Sequence, residues 1–340
     1  MKMIVFPLLI VFLATCTNNP GKTKEEKISF LLQKSFEDNE FVGNVLVADE
    51  GRIILKKSFG IADRTTDLEN NDTTKFLIAS ISKPITAVLI LRLVDKKILR
   101  LDDKVSTYFT VSDQRIGSII IHQLLTHTSG ISEFINKEQN VVMTSLLEKA
   151  SLNFEPGTDF QYSNSGYVLL KGIAETATQR TYSQLVKEEI FDVAEMTSSG
   201  AARNSSAAAF ARGYKDATQR QEVVVDFPLE NVDGAGSVYS TVDDLYKLDR
   251  ALYTEEIISN EMKENLLKQH VPEKYSYGWF VKERGGIWDV YWQKGNLPGF
   301  TSYISRRVQT NQFVVLLANA ENLDLESIEN KIDKILKMPD

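Results

Sequence analysis

The sequence predicts an α+β fold in which both ends of the chain build one antiparallel sheet flanked by helices, with a mainly helical lobe inserted between them. Three observations carry this expectation. Strand-like runs cluster near the ends, "GNVLVA" and "RIILKKSFG" early, then "YGWFVKE", "IWDVYWQ", "TSYISRR" and "QFVVLLAN" late. From about residue 100 to 270 the segments read mainly as helices and loops. An amphipathic helical pattern lies outside each set of strands, Ile28, Leu31, Leu32 and Phe36 before, and Leu325, Ile328, Ile332, Ile335 and Leu336 after. The division expected is one two-lobed domain over 24–340, its sheet lobe from about 24–75 and 271–340 and its helical lobe from about 76–270.

Each element follows from local chemistry. Residues 1–16 place Lys2 before an apolar run and small residues before Cys16. That run is shorter than the roughly 20 apolar residues that span a bilayer, so it reads as an export signal. Leu13, Ala14, Thr15 and Cys16 resemble the lipobox of bacterial lipoproteins, with Thr15 where Gly, Ala or Ser is usual. That resemblance implies an exported protein on the periplasmic side of a bacterial membrane, lipid-anchored through Cys16 if it is processed there. A plain signal peptide containing a cysteine is the alternative. Asp49, Glu50 and Gly51 separate the two early strands as a hairpin turn. "FLIASISKPITAVLILRLVDKKI" then predicts a helix starting near Ser80, and Ile85, Val88, Leu89, Ile90, Leu91, Leu93 and Val94 cover so much of its circumference that it must be buried. Thr241, three residues before Asp244, marks another helix start resembling a capping box.

Composition narrows the function. With 340 residues, 43% hydrophobic and 25% charged, the chain reads as an ordinary globular protein. A net charge of -7 argues against nucleic acid as a partner, because phosphate binding requires a basic surface. Cys16 is the only cysteine, which rules out an internal disulfide and a cysteine-built metal site. His122, His127 and His270 are too scattered to suggest zinc, and no cofactor is expected.

Two groups of residues can carry chemistry. Ser80 and Lys83 lie three apart, so both project from one face of a first helical turn. They are either a capping serine with a solvated lysine or a nucleophile beside its base. In "FEPGTDFQYSNSGYVLLKGIAE", Tyr162, Ser163 and Asn164 follow a Pro156–Gly157 turn and precede an apolar helix. Tyr162 either packs in the core or carries protons, driven toward phenolate by a nearby lysine. Asn164 either caps the next helix or offers its amide to a substrate.

"SISK" from Ser80, "LDDKVSTYF" from Leu101, "HQLLTHTSGI" from His122, "FEPGTDFQYSNSGYVLL" from Phe154 and "GNLPGF" from Gly295 together resemble the serine β-lactamase-related family. That family holds class C β-lactamases, penicillin-binding D-alanyl-D-alanine peptidases and esterases. The resemblance runs from about Phe41 to Asn319 in the family's order. It implies a β-lactamase/transpeptidase-like fold and an acyl-enzyme mechanism acting on a small-molecule, peptide or ester substrate. Ser80 would attack a carbonyl, Lys83 and Tyr162 would move its proton, and Asn164 would hold the substrate amide. The backbone N–H groups of Ser80 and Asn296, beside Gly295, would form the oxyanion hole.

The third motif departs from the family. Members carry Lys or His, a small residue, then Gly, whereas "QKG" puts Gln293 and Lys294 ahead of Gly295. Strand alternation sends Lys294 to the face opposite Gln293, while a bulge would rotate it inward. With a neutral amide in place of the cation that binds a substrate carboxylate, weak β-lactamase activity and a preference for esters are expected. His127 is expected to be scaffold, and Trp279, Trp288 and Trp292 strand packing, with Trp292 able to border the cleft. No Gly-x-Ser-x-Gly elbow exists to support another serine-hydrolase fold. The competing reading is a sensor that binds peptidoglycan fragments or β-lactams without turning them over, favoured by Gln293.

Overall fold

In the computed structural model, which describes residues 21–133, 143–201, 210–284 and 286–339, the chain ends do build one sheet. The N-terminal part supplies helix α1 (Lys24–Glu37), strands β1 (Gly43–Asp49) and β2 (Arg52–Phe59), and the short strands β3 (Ile61–Asp63), β4 (Leu68–Glu69) and β5 (Phe76–Leu77). A 3-10 turn at Ala79–Ile81 leads into α2 (Ser82–Asp95). Four short helices follow, α3 (Val105–Tyr108), α4 (Gln114–Ser118), α5 (Ile121–Leu125) and α6 (Met143–Lys149), then α7 (Asn164–Thr178) and α8 (Tyr182–Val186). Strands β6 (Gly200–Ala201) and β7 (Val238–Ser240) precede α9 (Val242–Ala251) and α10 (Asn260–Leu267). The chain closes with β8 (Phe280–Arg284), β9 (Ile287–Leu297), β10 (Phe300–Arg307), β11 (Gln312–Ala318) and α11 (Leu325–Leu336).

The large sheet has the order β2-β1-β11-β10-β9-β8, antiparallel throughout. Its central strands are covered on both faces, which is why β11 reads as an unbroken apolar run rather than an alternating one. Val314 and Leu316 point to one side, where they pack with Ile28 and Leu32 of α1 and Ile328 and Ile332 of α11. Phe313, Val315 and Leu317 point to the other, into a core shared with Leu89, Ile90 and Leu93 of α2. Helix α2 is buried on nearly every side, as its composition demanded.

Two consecutive arginines tie the layers together. On the outer face, buried Arg307 bonds Asp333 at 2.8 Å and Glu329, both on α11. On the inner face, Arg306 pairs with buried Asp249 of α9 at 2.9 Å.

The middle of the chain differs from expectation in one respect. β6 and β7, within the stretch read as helices and loops, form a three-stranded sheet with β5. Strands of two or three residues are too short to show a period of two. Thr241 caps α9 by accepting from the Asp244 N–H at 3.2 Å, but the Asp244 carboxylate turns to Ser198 N–H and Ser199 Oγ instead of completing the box.

Candidate active site

Ser80 does not open the long helix; it sits in the preceding 3-10 turn, and α2 begins at Ser82. The turn is fixed on both sides. The Ile78 N–H donates to Val238 O at 3.0 Å, and the Ile78 carbonyl accepts from Ser302 Oγ at 2.8 Å. Ala79 adopts φ +48°, a left-handed conformation that costs of order 1–3 kcal/mol in a residue with a Cβ and persists only where its surroundings enforce it.

The spacing of three survives the change of helix type. Lys83 Nζ lies 3.1 Å from Ser80 Oγ, 2.7 Å from Asn164 Oδ1 and 2.9 Å from the Ala235 carbonyl. The lysine has 0% exposure, and this burial pushes its pKa down to about 7, an effect that the Glu133 charge opposes. As a neutral amine it donates to its two obligate acceptors, Asn164 Oδ1 and Ala235 O. Its lone pair is then left for the Ser80 hydroxyl.

Tyr162 joins Ser80 and Lys83. Its phenol lies close to the Ser80 hydroxyl, and Lys83 Nζ lies 4.8 Å from the centre of its ring. Burial pushes the phenol up, and the nearby Ser80 hydroxyl only partly offsets this. The group is therefore a neutral phenol at pH 7, opposite in sense to the phenolate that proximity to lysine suggested.

His127 stands behind the tyrosine, 4.4 Å between ring centres, rather than beside the serine. Its Nδ1 accepts from the Ser163 N–H at 3.1 Å and its Nε2 meets Tyr275 Oη at 3.0 Å. Burial holds its pKa well below the usual value, so the ring is neutral and serves as a brace. Asn164 is the first residue of α7, with Ser163 as the N-cap, its Oγ accepting from the Gly166 N–H at 3.1 Å.

Sequence reasoning missed Glu133. Its Oε1 accepts from the Asn164 N–H at 2.6 Å, and its Oε2 from the Ser165 N–H at 3.2 Å and Oγ at 2.9 Å. The available signal was a carboxylate shortly after "HTSG", in a loop with no periodicity to indicate its direction.

On β9, Gln293 faces the site and Lys294 faces away. The β9–β10 register runs without a shift from Arg307↔Val290 to Phe300↔Leu297, so no bulge turns the lysine inward. Lys294 is exposed and lies 3.9 Å from Glu326 of α11. Gln293 is buried and engaged within the wall. Its Nε2 donates to Gly278 O at 3.1 Å and its Oε1 accepts from the Lys294 N–H at 3.0 Å. Because bonded and non-bonded pairs alternate in antiparallel ladders, Asn296, opposite Thr301 and next to the closing Leu297–Phe300 pair, turns its N–H away from β10. Gly295 lies against the Ser80 turn, where a Cβ would come within 2.5 Å of Ile78 O and Ser302 Oγ.

Other candidates fall outside this cluster. His122 and His270 pack with Tyr277, with no third metal-ligating side chain beside them among the described residues. Trp279 lies in the core, and Trp292 stacks on Phe280 and Tyr303 beside the terminal helices. Cys16 and the Trp288 side chain lie outside the described residues.

Comparison with known proteins identifies the family and the fold. The Beta-lactamase family model matches residues 37–335. Penicillin-binding protein 4* of Bacillus subtilis (strain 168) is 28% identical over 330 residues, covering 88% of this chain and 73% of that protein. A crystal structure of a penicillin binding protein from Bacillus halodurans superposes with a TM-score of 0.79 at 28% identity, covering 89% of this chain and 98% of that one. EstCE1, a hydrolase with promiscuous acyltransferase activity, shares the fold with a TM-score of 0.76 at 19% identity, covering 93% of this chain and 98% of its own. The strand order and these matches converge: the chain belongs to the Beta-lactamase family and has the fold of its serine hydrolases.

Proposed function

We propose that the protein cleaves an ester or amide through an acyl-Ser80 intermediate. The observation that carries this reading is the fully buried Lys83, whose amine is directed at Ser80 Oγ from 3.1 Å by two fixed acceptors. As Oγ attacks a carbonyl carbon, Lys83 takes the hydroxyl proton and becomes an ammonium held by Asn164 Oδ1 and Ala235 O. Charge developing on the carbonyl oxygen is met by the N–H groups of Ser80 and Asn296. Tyr162, a neutral phenol close to Ser80, gives a proton to the leaving group and recovers one from Lys83. Water then repeats the sequence on the acyl-enzyme. The Asn164 amide nitrogen meets the substrate carbonyl.

Gln293 narrows the substrate. A neutral side chain whose amide is already bonded to Gly278 and the Lys294 N–H offers no ammonium to a substrate carboxylate. Esters and uncharged acyl groups are therefore favoured over β-lactams and D-alanyl peptides. Export and lipid attachment at Cys16 complete the reading, supported by the pattern of residues 1–16.

The test is to treat the full-length protein and Ser80→Ala with a fluorophosphonate probe, map the adduct by mass spectrometry, and compare turnover of a p-nitrophenyl ester with that of a chromogenic cephalosporin. Labelling of Ser80 that vanishes in the variant, with faster ester turnover, is expected. Absence of labelling in folded protein would overturn the enzymatic reading in favour of a binding module. Efficient cephalosporin hydrolysis would overturn the substrate preference.

Gly295→Ala offers an independent check on the β9 wall. A Cβ that meets Ile78 O must push β9 away from the Ser80 turn. Displacing one oxyanion donor in this way should slow Ser80 labelling about 100-fold without unfolding the protein. An unchanged labelling rate would mean that β9 contributes no donor.

A further inference from the structure

We propose that Glu133 is a positioning residue of this site: its carboxylate clamps the first turn of α7, so that Asn164 is held against Lys83, and it places a fixed negative charge beside that lysine. The proposal rests on the reading of Ser80 and Lys83 given above.

Three hydrogen bonds define the clamp. The Asn164 and Ser165 N–H groups are two of the four donors that a helix start leaves without intrahelical partners, and Glu133 takes one on each oxygen while also accepting from Ser165 Oγ. The hydroxyl of Ser163 already caps the turn through Gly166. The carboxylate thus supplements the Ser163 cap, at a helix start whose dipole also favours a negative charge. Its shortest bond, 2.6 Å, is to the backbone of the residue whose Oδ1 receives Lys83 Nζ at 2.7 Å.

The charge acts on Lys83 in a defined sense. Around the ammonium are the Ser80 hydroxyl, the Tyr162 and Tyr167 rings and the neutral His127, and the charge of the Glu133 carboxylate acts on it as well. Glu133 favours the protonated amine and opposes the effect of burial. Neutralising it lowers the pH at which Lys83 becomes a base.

The experiment compares Glu133→Gln and Glu133→Asp with wild type in the full-length protein, by two readouts. One is the titration of Lys83 followed by NMR of 15Nζ-labelled lysine, its signal assigned by loss in Lys83→Arg. The other is the pH dependence of Ser80 labelling by a fluorophosphonate. In Glu133→Gln both midpoints are expected to move to lower pH by about half a unit or more, while Glu133→Asp stays near wild type. If Ser80 is unlabelled in wild type, the hydrolase reading fails and the NMR titration still decides the role of Glu133. An unmoved Lys83 midpoint in Glu133→Gln overturns the proposal and leaves a purely structural cap. If Glu133→Gln does not fold, Glu133→Asn supplies the neutral arm, and failure of both neutral variants to fold likewise overturns it.

Discussion

Lys83→Met is expected to slow Ser80 acylation by about 10²- to 10⁴-fold, the range that a positioned general base contributes. The same substitution should also change how stability depends on pH. In the folded protein, burial holds the Lys83 pKa at about 7, against an ordinary value of 10.5 for an exposed lysine. Between these two values the unfolded chain binds a proton that the folded chain does not, so stability rises with pH across that window. Below about pH 7 both states are protonated, and the full cost of burying the charge is felt. Wild type should therefore gain on Lys83→Met by about 1.4 kcal/mol per pH unit from roughly pH 7 to pH 10. Urea denaturation of both proteins at several pH values measures this. Parallel stability profiles would show that Lys83 keeps its proton when folded and cannot act as the base.

Glu329→Ala is expected to destabilise the protein by about 3–5 kcal/mol without touching the chemistry. Arg307 and Glu329 are almost fully buried between β10 and α11, with side-chain exposures of 1% and 3%. Ser305 Oγ also donates to Glu329 at 2.8 Å, and Arg307 Nε donates to Asp333 at 2.8 Å. Removing the glutamate strands a guanidinium in an apolar layer with only part of its charge matched. Replacing both partners by apolar residues should cost much less than the single change, because desolvation of the charges is avoided as well. Urea midpoints of the single and double variants test this. A loss below about 1 kcal/mol for Glu329→Ala would mean that water reaches Arg307. Labelling of Ser80 in the folded variant should be unaffected, since the pair lies on the opposite face of the sheet.

These pairings show where sequence reasoning works. The buried α2, the terminal helices and the six long strands announce themselves because periodicity is a local property and these segments are long. The opposite facing of Gln293 and Lys294 follows from the same rule, since an unshifted strand admits only one alternation. The neighbourhood of Ser80 and Lys83 was legible through a spacing of three, which puts side chains on one face in a 3-10 turn as in an α-helix. Three things were not legible. The 3-10 turn at Ser80 depends on β5 pairing with β7, whose partners are far apart in the chain. The protonation of Tyr162 depends on how much water reaches it, which spacing does not encode. Glu133 meets Asn164 across a separation of 31 residues, so its role emerges only in three dimensions.

The register of β1 with β11 bears on how the protein is made. Val47 pairs with Val314, and Leu46 with Val315, so β1 has its inner partner near the far end of the chain. During synthesis, at about 5–20 residues per second, β1 and β2 must wait tens of seconds as an isolated hairpin, marginal at best in water, with apolar faces uncovered. Loop-closure entropy must be overcome before the pairing yields anything, which slows folding. The sheet that holds the Ser80 site together is consequently the last part that can form. A chain stopped short of β11 carries Ser80, Lys83, Tyr162, Asn164 and Glu133 in full but lacks the strand that joins its two ends.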